Sequence, residues 1–253
     1  MLSQVLTTNS PDMLWLTVNP SLQRLDQALL AALAQNIRVS QWAYSQTPDE
    51  PSSLDVALTL LHDYVKGHDR PLDLAGHGTG GLLGLLYARR FPHRVRSLTL
   101  LAVGVNPAVD WKAHYYAQLE RLPCSRTWVL TQMARTLLGR QSTHVLKGWA
   151  ELLNQDLTQS LSLHSLMKRF SIFPAGAPVP LLICGGQNDA IVDPMQIQGW
   201  QSWLKPGDRI WVCPEGRHFF HANQPQATAH EMLKFWATAT STTSVPVYLE
   251  SIS

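Results

Sequence analysis

The feature that most limits the folds open to this chain is an alternation. Short apolar runs of strand length are separated by longer stretches whose apolar residues recur at helical spacing. Met13–Val18 reads as a buried strand, and Leu22, Leu25, Leu29, Leu30 and Leu33 then fall on one helical face. Ile37–Trp42 is strand-like. Leu54, Leu58, Leu61 and Val65 form the next helical stripe, with Ser52 or Ser53 available to cap its start. Leu72–Ala75 is a short apolar run that stops at GHGTGG, followed by helical Leu82–Arg90 and the run Leu98–Val103. The rhythm returns late in the chain: strand Pro180–Cys184, helix Pro194–Leu204, strand Arg209–Cys213 and helix Gln224–Ala237. Such alternation predicts an α/β fold with a mostly parallel sheet flanked by helices.

Residues 107–175 interrupt the pattern. They are rich in Leu, Gln, Trp and His, read as helices, and contain no convincing strand. The expectation is one domain over 1–253 with a helical cap inserted at 107–175, lying over the carboxyl edge of the sheet, where open α/β folds bind ligands. Phe173–Pro180 reads as the hinge back to the sheet. The Ser/Thr-rich tail 238–253 reads as flexible, and Val245–Leu249 as an added edge strand, the only kind that tolerates Pro246.

Composition narrows the function classes. Charged residues make up 15% of the 253, and the net charge is only +2, too little for an electrostatic footprint on nucleic acid or a membrane surface. No apolar run approaches the ~18 residues of a membrane span. The first basic residue is Arg24, so the opening stretch does not read as a signal peptide. Cys124, Cys184 and Cys213 are odd in number and widely spaced, which suits reduced thiols in a cytoplasmic protein.

The segment Gly76-His77-Gly78-Thr79-Gly80-Gly81 stands between a strand and a helix. There it resembles the G-x-S-x-G nucleophile elbow of the α/β-hydrolase family. Gly76 and Gly80 supply the small outer positions, but the centre, a Ser in family members and sometimes Cys or Asp, is Gly78. Two later segments strengthen the resemblance. LLICGGQNDAIVDP (181–194) is similar to the stretch that carries the family's third triad member, which falls on Asp189. PEGRHFFHANQP (214–225) looks like the loop of the catalytic histidine, which falls on His218, with His221 the poorer match. The order elbow, Asp189, His218 agrees with the family order. Asp110, shortly after the Leu98–Val103 run, is a second candidate acid, and Asp189 could instead serve a turn or a helix start.

Other parts of the pattern are altered. Where the family's oxyanion loop begins with His-Gly, this chain has Asn19-Pro20-Ser21; Pro20 has no N–H, so a donor there must come from Ser21 or Leu22. Thr79 would supply the other donor, and His77 stands beside the elbow centre; Gly78, Thr79, Ser21 and His77 are thus the candidate binding residues. Twelve residues precede the first strand, too few for the family's opening hairpin, so a sheet trimmed at that edge is expected.

The resemblance implies an α/β-hydrolase fold in a chain that lacks the serine nucleophile. The expected function is non-hydrolytic: binding of a small apolar or acyl-type ligand, or scaffolding of a protein partner. The alternative is a hydrolase or lyase that uses a His218–Asp189 general base with no covalent intermediate. Thr79 as nucleophile is disfavoured, since its side chain should turn into the helix start. No cofactor is implied, and the His residues of 107–175 show no metal-ligand spacing.

Overall fold

A computed structural model describes residues 10–46, 53–107, 110–160 and 174–241. Ser52, residues 161–173 of the expected cap, and the tail from 242 onward, with its expected strand at Val245–Leu249, lie outside the described residues.

Six parallel strands form one sheet in the order β2-β1-β3-β4-β5-β6. They are β1 (Met13–Thr17), β2 (Val39–Ala43), β3 (Leu72–His77), β4 (Val95–Leu101), β5 (Leu181–Gly186) and β6 (Arg209–Cys213). Every residue of β1 and β5 is buried. This is why their sequences are continuous apolar runs: a parallel strand covered by helices on both faces has no side to give to water. The edge strands β2 and β6 are partly exposed and mix polar with apolar residues. No strand precedes β1 among the described residues, and β2 closes that edge.

Helix α1 (Gln27–Ala34) packs beside α9 (Pro225–Ser241), and α2 (Asp55–Val65) beside α3 (Thr79–Arg90), so helices flank the sheet. At the start of α2, Ser53 Oγ accepts from the Asp55 N–H at 3.0 Å. The single helical face expected over 22–33 is divided instead into a 3₁₀ turn (Pro20–Leu25) and α1. The break falls at Asp26, whose carboxylate is engaged across the core with Trp15 and His221 and makes no capping bond to α1.

Between β4 and β5 the described residues form α4 (Trp111–Arg121), α5 (Arg126–Leu138) and α6 (Thr143–Gln159), with no strand among them. Asp110, Ser125 and Ser142 cap these helices through their side chains. Short helices α7 (Pro194–Gln198) and α8 (Phe220–Asn223) follow β5 and β6. Among the described residues, no helix is long and apolar enough to cross a membrane.

Candidate functional site

The site is organised by the turn from β3 into α3. Register places Gly76 between Leu16 of β1 and Leu100 of β4, in the middle of the sheet. A Cβ on Gly80 would lie 2.2 Å from the Leu16 carbonyl oxygen, so only glycine allows α3 to begin this close to β1. Gly78 differs from Gly80: its constraint is backbone strain, not lack of space. Its backbone has φ +52° and ψ −121°, a region that L side chains rarely adopt. The bend is held at both ends: Gly78 N–H donates to Leu101 O at 2.9 Å, and Gly78 O accepts from Leu82 N–H at 3.0 Å. A Cβ here would meet nothing within 4 Å. Thr79, the first residue of α3, presents an N–H with no acceptor four residues back, at the positive end of the helix dipole.

The loops after β5 and β6 bring a second element of the site together. His218 Nδ1–H donates to Asp189 Oδ2 at 3.0 Å, and both residues are buried. The other Asp189 oxygen accepts from the Ile191 and Val192 N–H groups at 2.8 and 3.1 Å. Burial alone would raise the Asp189 carboxyl. The His218 imidazole and the two amides outweigh it and hold the group below its ordinary value. Of the two candidate acids, Asp189 is therefore the one on His218, while Asp110 accepts from Ala113 N–H at 3.0 Å and starts α4. The start of α7 is capped by Asp193, not by Asp189.

His77 Nε2–H donates to the His218 carbonyl at 2.9 Å and stacks on Phe219, with centroids 4.7 Å apart. Its pKa is pushed well down, first by burial and then by His218 and His221, which keeps the ring neutral while it ties the histidine loop to β3.

The candidate donors of the first loop are placed otherwise than expected. Ser21 does not line the cavity at Gly78; its hydroxyl donates to Gln159 Oε1 of α6 at 3.0 Å. The Leu22 N–H is consumed by Asn19 O at 2.9 Å, because the segment winds into a 3₁₀ turn. Asn19 in turn donates to the Asp156 carboxylate of α6 at 3.2 and 3.4 Å. Here, where the sequence suggested oxyanion donors, the side chains fasten the loop to α6.

His218, Gly78, Thr79 and His77 face a narrow cavity of about 50 Å³, which Trp15, Asp26, Asp110 and Trp111 also line. That is room for a few heavy atoms, since one water takes roughly 10–15 Å³ measured this way. Sequence reasoning missed Asp26 and Trp15. The available signal was a carboxylate set between Leu25 and Leu29 on an otherwise apolar face, a position that asks for a buried partner. Carboxylates, hydroxyls and imidazoles from the loops share the cavity wall with the rings, and loop residues carry no periodicity to reveal them. Among the described residues, no group of three or more His, Cys, Asp or Glu is placed to hold a metal ion.

A model of the alpha/beta hydrolase family matches residues 14–231. An uncharacterized protein of Synechocystis sp. is 44% identical over 250 residues, covering 97% of this chain and 99% of its own length. An uncharacterized protein of Nostoc sp. is 44% identical over 225 residues, covering 89% and 90%. Among solved structures, a carboxylesterase from Bacillus subtilis is similar with a TM-score of 0.69 and 15% identity, over 91% of this chain and 85% of its own. A thermophilic esterase from Thermogutta terrifontis has a TM-score of 0.65 and 16% identity, over 90% and 89%. At those identities, the structural likeness speaks for the fold.

Proposed function

The chain belongs to the alpha/beta hydrolase family, and we propose that it is a member whose elbow carries Gly78 in place of the nucleophile, so that the cavity binds a small ligand without forming an acyl-enzyme. One observation supports this above the others. Residue 78 has the sharply bent backbone of an elbow at a strand–helix turn, its side-chain direction opens on unfilled space, and it has no side chain. An acyl transfer needs an oxygen or sulfur at that point to make and break the ester bond. In this reading residues 107–175 are a cap, α4–α6 closing over the site, with the Asn19 and Ser21 contacts fixing it to the body. In this reading Thr79, the first residue of α3, lines the cavity and does not take the nucleophile's place. A protein partner seated on the cap is the other occupant this reading admits.

The test is labelling with a fluorophosphonate. The native protein is expected to remain unmodified, while a Gly78→Ser variant, which places a hydroxyl beside His218, is expected to label. Stoichiometric modification of the native protein would overturn the proposal.

The His218–Asp189 contact favours a second reading. A carboxylate on Nδ1 fixes the tautomer and leaves Nε2 as an acceptor, which suits a general base. His218 could take a proton from a water beside Gly78, the resulting hydroxide attacking the substrate carbon, and return the proton to the leaving group. It could equally take a proton from a substrate carbon, the C–H electron pair forming a double bond as the β-substituent departs with its own bonding pair and takes that proton back from His218. Turnover of small esters or β-substituted acids that disappears in His218→Ala would establish this reading. Screens in which wild type and His218→Ala are equally inert would remove it.

A further inference from the structure

Opposite the β3–α3 turn, the cavity wall carries a carboxylate that neither reading employs. Asp26 is almost fully buried yet reaches the cavity. Its two oxygens are held separately: Trp15 Nε1–H donates to Oδ2 at 2.9 Å, and His221 Nε2–H donates to Oδ1 at 3.0 Å. The other ring nitrogen of His221, Nδ1, is fully buried with no hydrogen-bond partner. Among the described residues no Lys or Arg pairs with Asp26. The ammonium that lines the same cavity, Lys112, is already occupied. Its Nζ donates to the carbonyls of Asp156 and Ser160 and lies 3.4 Å from Asp156 Oδ2.

A buried carboxylate held by an indole and an imidazole, with no Lys or Arg beside it, gains when a cation can reach it. The surfaces around it are of the matching kind. Trp15, Trp111 and Phe219 all contribute to the cavity wall, which gives an alkyl group apolar surface beside the carboxylate. An anion would meet the carboxylates of Asp26 and Asp110 and, beyond the Thr79 N–H at the start of α3, no free ammonium or guanidinium.

We infer that the cavity is a site for a small organic cation, an amine or alkylammonium group. Asp26 is its counter-ion, Trp15 and His221 hold that carboxylate in position, and the aromatic rings receive the alkyl part. The inference rests on the reading of the cavity as a small-molecule site, and it names the chemistry of the occupant.

The experiment compares tetramethylammonium with tert-butanol, an uncharged molecule of similar size, and with acetate, each titrated into the full-length protein and followed by calorimetry and tryptophan fluorescence. Saturable binding of tetramethylammonium at least ten-fold tighter than tert-butanol, with no binding of acetate, is the expected result. Asp26→Asn, which keeps the shape of the side chain, should bring the two affinities together. The wild-type comparison stands even if that variant folds poorly. Equal affinity for the cation and the alcohol, tighter binding of acetate, or no binding of the cation would each overturn the inference. None of these outcomes changes the fluorophosphonate result at Gly78, so the two proposals fail separately.

Discussion

Glycines 78 and 80 stand two residues apart and should answer a side chain in opposite ways. At Gly80 a methyl would press on the Leu16 carbonyl at 2.2 Å, and backbone cannot yield there without separating α3 from β1. Gly80→Ala is expected to lose about 3 kcal/mol or more in a urea titration, or to be recovered only as insoluble protein. At Gly78 the space is open, so Gly78→Ser should remain folded and lose only the conformational cost of φ +52°, about 1–3 kcal/mol. Equal losses at the two positions would mean that backbone strain, and not contact with β1, governs the turn. This part of the site was legible in the sequence because six consecutive residues encode it. The Asp26–His221 pair was not, because its partners lie 195 residues apart and only the closed fold brings them together. The same holds for Ser21, whose N–H was a candidate oxyanion donor and whose hydroxyl reaches Gln159, 138 positions away.

Among the elements, α4 and α6 are joined by an ion pair that composition gave no reason to expect. Lys112 and Asp156 are both buried, and Asn19 and Ser160 supply the remaining hydrogen bonds to the carboxylate. Lys112→Met keeps the length of the side chain and removes its charge, leaving Asp156 buried without a cation. A loss of about 3–5 kcal/mol is expected. Hydrogen exchange should show where it falls, with protection lost first in α4 and α6 while the amides of β1, β3 and β5 stay protected. Uniform loss across sheet and helices would show that these helices do not open as a separate unit. The starts of α5 and α6 carry a local signal that the sequence reading did not use, since Ser125 and Ser142 are ordinary capping residues. The cross-links carry none, for nothing local marks a Lys that will be buried 44 residues from its partner.

For the molecule as a whole, the parallel sheet was legible because burial on both faces leaves an unbroken apolar run, as in β1 and β5. The signal weakens at the edges, where β2 begins at Val39, two residues later than Ile37, and its residues are half-buried or exposed. The sheet's two margins also share an electrostatic device. At one margin the Arg38 hydrogen bond, aided by Arg70, holds the Asp12 carboxyl below its ordinary value, against a smaller opposing effect of burial. At the other, His218 and two amides do the same for Asp189 against its burial. A carboxyl lowered by folding adds stability that is complete above its unfolded value of about 3.8 and is lost as the pH falls through the lower folded value. Wild-type stability should therefore fall as acid is added below about pH 4. Asp189→Asn cannot titrate, so it should be less stable than wild type near neutrality and show a flatter decline in acid. Asp12→Asn should flatten the decline less, because that side chain is partly open to water and its ion pairs are screened. Denaturant midpoints measured from neutral pH into acid decide the matter: if the Asp189→Asn curve runs parallel to wild type throughout, the buried carboxylate beside His218 contributes no ionisation-linked stability, and the pair is held by shape alone.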